Sequence, residues 1–312
     1  MTGDKAARTA APVTVVGPPG AARELPRVQV EVLRAVQNHT VATERMRARA
    51  RLLETYGQVL PVTWHRRLDV RVQHQHALVA AAAAGGIPQR WIHQVIDRGM
   101  RGTRWNRDLY LTVPERVHHD RLLTELRVHA KRMREFTAVA AGYGEQGARR
   151  EPGTASMFDR NLRAVWRRTI ALAHLLDPDD THADTLWGPA DTWVRAAADS
   201  ARRHDTLEAR WRHAARLDTS GFARQAAALA DLGFPTDTVP GHLAAPTETV
   251  QRIRDLLTSP STPPTRDVVL TPGAETAAAV DATGLTDQHP GSLAPGPPTS
   301  PPPIHADRGL DP

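Results

Sequence analysis

Histidine is the residue in this sequence best suited to metal chemistry, because its neutral ring nitrogens are common zinc ligands. The chain contains 15 histidines, yet no two of them lie three or four positions apart. That spacing is the one that places two ligands on one face of a helix. The sequence also contains no cysteine, which excludes thiolate zinc sites and disulfides. We therefore expect no metal and no cofactor.

The glycines of Gly142–Gly147 match the GxGxxG spacing with which dinucleotide-binding proteins approach a pyrophosphate. That chemistry requires a strand before the motif and a helix after it. Here a predicted helix precedes the glycines, and the polar run 149–152 follows them, so we predict a mobile connector. No nucleophile elbow, phosphate-binding loop or catalytic pair of acids is evident in the sequence, and we expect the protein not to be an enzyme.

Helical periodicity dominates the apolar pattern, and the only strand candidate is Asp267–Leu270. We therefore predict the all-α class, as a multi-helix bundle of about seven helices with disordered termini. The expected helices are Pro26–Tyr56, Thr63–Ala84, one starting at Pro88, Pro114–Ala141, one opened by a Ser156/Asp159 capping box and closed at Asp177, Pro189–Arg216, one capped by Ser220 and ending at Gly233, and one starting at Pro246.

Two of these predicted helices carry further expectations. Trp193 and Trp211 lie about five turns apart on the predicted helix Pro189–Arg216, so both should face the core from that helix. On the helix that ends at Leu176, four arginines are expected to form a solvated row opposite the apolar stripe; they are Arg160, Arg163, Arg167 and Arg168.

Composition divides the chain into four predicted parts. Residues 1–25 include a Gly-Pro-Pro-Gly run and are predicted to be a disordered arm. Residues 26–112 form a predicted N-terminal helical unit, and residues 113–258 form a predicted C-terminal helical bundle. Residues 259–312 are rich in proline and poor in large apolar side chains, which predicts a disordered tail.

The net charge of +6 is distributed unevenly, with +10 on residues 1–258 and −4 on residues 259–312. A basic body with an acidic tail is compatible with a nucleic-acid partner, although a GC-rich genome also enriches arginine. No apolar run approaches the roughly 18 residues of a membrane span, and the N-terminus lacks a signal-peptide core. We expect a cytoplasmic protein without a membrane partner.

Residues 78–99 carry the most specific pattern in the sequence. Ala82 is a small residue on the first helix, and Gly86, four positions later, suits a left-handed turn. An apolar residue, Ile87, follows the turn. Two further apolar residues, Ile92 and Val95, come five and eight positions after Ile87 and are expected to point inward.

This segment resembles the helix-turn-helix motif of bacterial DNA-binding proteins, over residues 78–99 only. It departs from the motif at Pro88, where many such proteins have a serine that caps the second helix. The resemblance implies a non-enzymatic DNA-binding function, in transcriptional regulation or in maintenance of a mobile element. The implied partner is double-stranded DNA, and a homodimer is one arrangement left open.

The resemblance also implies a set of site residues on the second helix and just after it. Glutamine and arginine can bind adenine and guanine bidentately, so the outward face is expected to contact base edges. The arginines that follow are expected to contact phosphates. The first group is Gln89, Arg90, His93 and Gln94, and the second is Arg98, Arg101 and Arg104. Asp97 would repel phosphate unless it pairs with Arg98 or Arg101.

A second interpretation stays open, because an alanine-rich helical hairpin can produce the same pattern. The protein would then be a helical scaffold or adaptor whose arginine faces bind acidic protein surfaces. In that case the face with Gln89, Arg90 and Gln94 should be buried against the second bundle.

Deletion of residues 259–312 is expected to leave the melting temperature of the protein unchanged, because this segment has no periodic apolar positions to bury. Thermal unfolding of the full chain and of the truncated chain, followed by circular dichroism, measures the difference. A large loss of stability on truncation would contradict the predicted tail.

Overall fold

A computed structural model describes residues 21–22, 25–114, 117–178, 180–203, 205–239 and 242–259. Residues 1–20 of the predicted arm lie outside these ranges. So do residues 260–312 of the predicted tail, with the strand candidate Asp267–Leu270. The described residues belong to one compact unit, Met1–Ser261.

The fold is all-α, as predicted from the periodicity. Over the described ranges the chain forms ten helices, two more than the eight segments predicted individually. The β-structure within these ranges consists of two isolated bridges, Ala21 with Tyr110 and Val239 with Leu243. The helices are α1 (Arg27–Thr55), α2 (Val62–Ala84), α3 (Gln89–Met100), α4 (His119–Arg150), α5 (Pro152–Leu176), α6 (Asp180–Trp187), α7 (Ala190–Arg202), α8 (Leu207–Arg216), α9 (Ser220–Ala230) and α10 (Pro246–Thr258).

Several helix ends fall where turn chemistry predicted them. Helix α1 ends just before Gly57, which has a φ of 68°, and α10 begins at Pro246, which suits the first helical position. Asp177 ends α5 in the left-handed conformation with a φ of 46°, and aspartate is one of the few residues that tolerate this region.

Helix α5 is the most enclosed element and contacts α4, α8 and α9. From Ala164 to Ala173 nearly every residue is buried, which is typical of a helix packed on all sides. The buried Asn161 connects it to α8: its Nδ2 lies 2.8 Å from both the Ala214 and the Leu217 carbonyl oxygens. The last carbonyls of a helix have no partner within it, and this amide satisfies those of α8.

The predicted helix Pro189–Arg216 is wrong as a single element, because the chain breaks it into α7 and α8. Helix α7 ends at Arg202 and α8 begins at Leu207, and Asp205 and Thr206, just before α8, are weak helix formers. Trp193 and Trp211 are both buried as predicted, but they lie on different helices. Trp211 stacks on Phe158 with ring centroids 4.0 Å apart, whereas Trp193 meets Trp166 edge to face at 6.2 Å.

The predicted connector at Gly142–Gly147 is also wrong, because these residues lie inside α4. The reason is a close approach from a distant helix. A Cβ on Gly147 would lie 2.6 Å from Cε2 of Trp211, so only glycine lets this indole lie against α4. Gly147 therefore serves helix packing and not a turn.

The predicted N-terminal caps of α5 and α9 are not the caps that the structure shows. The capping box at Ser156 and Asp159 is wrong because α5 already begins at Pro152, which places Ser156 within the helix. Helix α9 has Thr219 at its N-cap position, so Ser220 is its first helical residue and not its cap. The Asp218 carboxylate accepts a hydrogen bond from the Ser220 backbone N–H at 2.9 Å, which supplies an acceptor at this end.

The expected arginine row on α5 holds for Arg160, Arg163 and Arg167, which are exposed, but Arg168 is buried. The Arg168 guanidinium donates to Gln225 Oε1 at 2.7 Å and lies 4.3 Å from the centre of the Phe222 ring. Burial lowers its pKa to about 10.

His129 accepts the other hydrogen bond of this buried guanidinium. Its Nε2 lies 3.0 Å from Arg168 Nη1, and a guanidinium can only donate, so Nδ1 carries the imidazole proton. Burial, followed by the Arg168 charge, lowers the His129 pKa to about 4. The histidine is therefore neutral near pH 7.

Contacts also join the regions predicted as an N-terminal unit and a C-terminal bundle. Helix α2 packs against α9. A Cβ on Gly85, just after α2, would lie 2.2 Å from Cδ2 of Leu175 in α5. Ala22, within the predicted arm, is fully buried, and its N–H donates to the Leu109 carbonyl oxygen at 2.8 Å.

Gly147→Ala is expected to lower the free energy of unfolding by about 1–3 kcal/mol, because the rigid Trp211 ring must shift to admit the new methyl group. Gly144→Ala is the matched control in the same helix. Its Cβ would meet its nearest atoms at 3.6 and 3.7 Å, which are ordinary contacts.

The control should raise the free energy of unfolding by about 0.5–1 kcal/mol through the better helix propensity of alanine. Urea unfolding of both variants gives the comparison. Equal effects of the two substitutions would mean that the Trp211 contact does not determine the residue at position 147.

Candidate functional site

The turn between α2 and α3 has the geometry expected from the sequence at each apolar or glycine position. Gly86 has a φ of 80°, in the left-handed region. Ala82, Ile87, Ile92 and Val95 are all buried. Helix α1 contacts both α2 and α3, and the four residues belong to the buried core of the protein.

Helix α3 packs against α1 at Gly99, which has no side chain. A Cβ on Gly99 would lie 2.5 Å from the Thr40 Cβ, so glycine permits the close contact between the two helices. Beyond the end of α3, Gln37 Nε2 donates to the Thr103 carbonyl oxygen at 2.8 Å. The back and the C-terminal end of α3 are therefore both fixed to α1.

The opposite side of α3 is exposed and polar. Gln89, Arg90, His93 and Asp97 are exposed on it, and the Gln89 amide nitrogen lies 3.0 Å from the His93 ring nitrogen Nε2. Within the described ranges, Asp97 forms no ion pair with Arg98 or Arg101. Its negative charge therefore lies on the same exposed face as Gln89, Arg90 and His93. The other predicted residue, Gln94, is half-buried.

Gln94 is half-buried because the chain returns along one flank of α3. We call residues 109–113 the return segment. Gln94 Nε2 donates to the Tyr110 carbonyl oxygen at 2.7 Å, and Gln94 Oε1 accepts from the Thr112 N–H at 3.1 Å. One side-chain amide thus holds two peptide groups of the return segment.

Neighbouring α3 residues reinforce the same attachment. The Trp91 indole N–H donates to the Thr112 carbonyl oxygen at 2.8 Å, and Arg90 Nη1 donates to the Val113 carbonyl oxygen at 3.2 Å. The return segment also buries Leu109 and Leu111. It therefore covers one flank of α3 and leaves the flank with Gln89 and His93 uncovered.

The three predicted phosphate contacts differ in exposure. Arg101 and Arg104 are exposed, whereas Arg98 is half-buried, and its Nε atom is buried without a hydrogen-bond partner in the described part of the chain. Arg104 lies beside Arg45 and Arg71 on a shallow cavity next to α1. The structure thus brings one predicted arginine together with two that the sequence did not single out.

The described ranges contain neither a candidate metal centre nor a candidate membrane-spanning helix. No group of three or more His, Asp or Glu side chains there could hold a metal ion. Among the helices described, none combines the length and the apolar character needed to cross a membrane.

No protein-family model matches this chain, and no curated protein or solved structure is significantly similar to it.

Gln94→Ala is expected to free the return segment, because the Thr112 N–H loses its acceptor and the Tyr110 carbonyl loses its donor. We expect faster amide hydrogen exchange at Thr112 and a loss of about 1 kcal/mol in unfolding free energy. Gln89→Ala is the matched control, since that side chain bonds only His93 on the same helix. Unchanged exchange at Thr112 in the Gln94 variant would contradict the attachment.

Proposed function

We propose that the protein binds double-stranded DNA without catalysing a reaction, and that α3 lies in the major groove. The observation that carries the proposal is the exposed polar face of α3, whose opposite side is fixed to α1. With 12 residues, α3 is about 18 Å long and of a diameter that the major groove admits. The proposal includes the cytoplasmic location expected from the sequence.

The α2–α3 corner supports this proposal through its geometry. A left-handed glycine at the turn and buried small and apolar residues on both sides are what the helix-turn-helix resemblance implies. The alternative scaffold interpretation expects the face with Gln89, Arg90 and Gln94 to be buried against the second bundle. Gln89 and Arg90 are exposed, which favours DNA binding, whereas Gln94 is half-buried by the return segment.

The hydrogen bonds suggest a division of roles among the predicted site residues. Gln89, Arg90 and His93 occupy the first turns of α3 and are the candidates for base contacts, and Arg90 also donates to the return segment through Nη1. Gln94 uses its amide to hold the return segment, so we assign it a positioning role. Arg101 and Arg104 are exposed at the C-terminal end and suit phosphate contacts.

The charge of the chain supports a polyanionic partner in general terms. Residues 1–258 carry +10, which raises the association rate with DNA and makes binding sensitive to salt. Asp97 on the α3 face opposes this attraction locally. In the major groove, the Asp97 carboxylate would be accommodated next to a cytosine, whose amino group donates hydrogen bonds to carboxylates.

The proposal predicts that two groups of variants fail in different ways. The cognate site is first selected from a pool of random duplexes, and affinities are then measured by fluorescence anisotropy over a range of salt concentrations. Gln89→Ala and Arg90→Ala should each remove about 1–3 kcal/mol of preference for the selected site. Arg101→Ala and Arg104→Ala should weaken binding to every duplex and reduce the salt slope by about one each.

Arg163→Ala is the matched control, because this arginine is exposed on α5 and is not part of α3. It should change neither the preference nor the affinity by a comparable amount. A control that weakens binding as much as Arg101→Ala would assign the interface to α5. Absence of salt-dependent affinity for duplex DNA at low ionic strength would refute the proposal and favour the scaffold.

A further inference from the structure

A groove of about 740 Å³ lies between α1 and α2 and is separate from the exposed face of α3. Met46, Trp64 and Val70 form its apolar wall, and Asp231 contributes to the rim. This volume lies within the range of roughly 300–1,000 Å³ that is typical of small-molecule sites.

The lining of this groove has an excess of positive charge. Arg66, Arg67 and Arg71 line it, and none of them forms an ion pair with a carboxylate of the described residues. The carboxylate on the lining, Asp231, lies 3.7 Å from the His74 Nδ1 atom, so a histidine already faces it. The three guanidinium groups therefore give the groove an excess of positive charge that an anionic ligand would complement.

Two ring nitrogens at the groove are buried without a hydrogen-bond partner in the described part of the chain: Trp64 Nε1 and His39 Nδ1. Indole N–H is only a donor, and a buried donor left unsatisfied is costly. His39 stacks on His74 with ring centroids 4.5 Å apart. Burial, then the nearby His74 and Arg71, lowers the His39 pKa.

We propose that this groove binds an aromatic carboxylate as a small-molecule ligand. The aromatic body packs on Trp64 and Met46, and the carboxylate accepts hydrogen bonds from the Trp64 indole and the Arg71 guanidinium. This arrangement satisfies the unpartnered indole and neutralises part of the arginine charge. The inference does not depend on DNA binding.

A second copy of the chain is a poorer occupant of the same groove. In a two-fold symmetric dimer the same patch faces itself, so Arg66, Arg67 and Arg71 would meet their own counterparts. Like charges brought together in an interface are unfavourable. The charge pattern therefore favours an anion over self-association.

The test uses the full-length protein and isothermal titration calorimetry at pH 7. The probes are 1-naphthoate, the uncharged 1-naphthalenemethanol and inorganic phosphate. Saturable binding of one naphthoate is expected, with each other probe about tenfold weaker or more, because each lacks either the charge or the ring.

Arg71→Gln should weaken naphthoate about tenfold and leave the alcohol unchanged. Trp64→Phe, which keeps the ring and removes the N–H, should also weaken naphthoate. Arg49→Gln is the matched control, since Arg49 is exposed on α1 outside the groove lining. Circular dichroism checks folding, and Arg67→Gln replaces the Arg71 variant if that one unfolds.

Three outcomes would overturn the proposal. The first is the absence of saturable naphthoate binding. The second is an equal loss of affinity in Arg49→Gln, which would indicate general electrostatic attraction. The third is equal affinity for the alcohol or for phosphate, which would indicate an apolar patch or a plain anion site.

Discussion

The orientation of the α2–α3 corner depends on the absence of side chains at its turn. Gly85 lies against Leu175, and a Cβ on Gly86 would lie 2.9 Å from Cδ1 of Leu122 in α4. The turn can approach this closely only because both positions are glycine. Since α1 holds α3 from behind and α4 and α5 hold the turn, the polar face of α3 is presented on a rigid support. The proposed DNA contacts require such support, because binding groups on rigid elements are positioned more accurately than groups on loops.

The packing of aromatic rings on glycine and on other rings organises the rest of the described fold. Trp211 lies on Gly147 and stacks on Phe158, and its indole N–H donates to Thr154 Oγ1 at 2.8 Å. This one residue therefore connects α8 to both α4 and α5. Asn161 of α5 adds a polar connection, because its side-chain amide donates hydrogen bonds to carbonyl oxygens at the C-terminal end of α8. Together these contacts place the short helices around α5, where propensity alone would leave them marginal.

Local signals predicted the parts of the fold that depend on local chemistry. The left-handed turn at Gly86, the buried positions of the α2–α3 corner and the start of α10 all follow from spacing and turn residues. The packing role of Gly147 inside α4 could not be predicted, because the side chain that lies against it, Trp211, is more than sixty positions away in the chain. The positioning role of Gln94 was missed for a similar reason. A glutamine amide can bind a DNA base or a peptide group equally well, so the sequence does not distinguish the two roles. The distinction depends on the path of the return segment, which the sequence alone does not reveal.

The junction of α4, α5 and α9 makes the protein sensitive to acid. His129 has a folded-state pKa of about 4, below its value of 6.5 in an unfolded chain. Between these two values the unfolded chain binds a proton that the folded chain excludes, so this histidine favours unfolding increasingly as the pH falls from 6.5 towards 4. A proton on His129 would also remove the acceptor of Arg168 and place a second positive charge beside it. The stabilising contribution of this junction is therefore complete only above about pH 6.5.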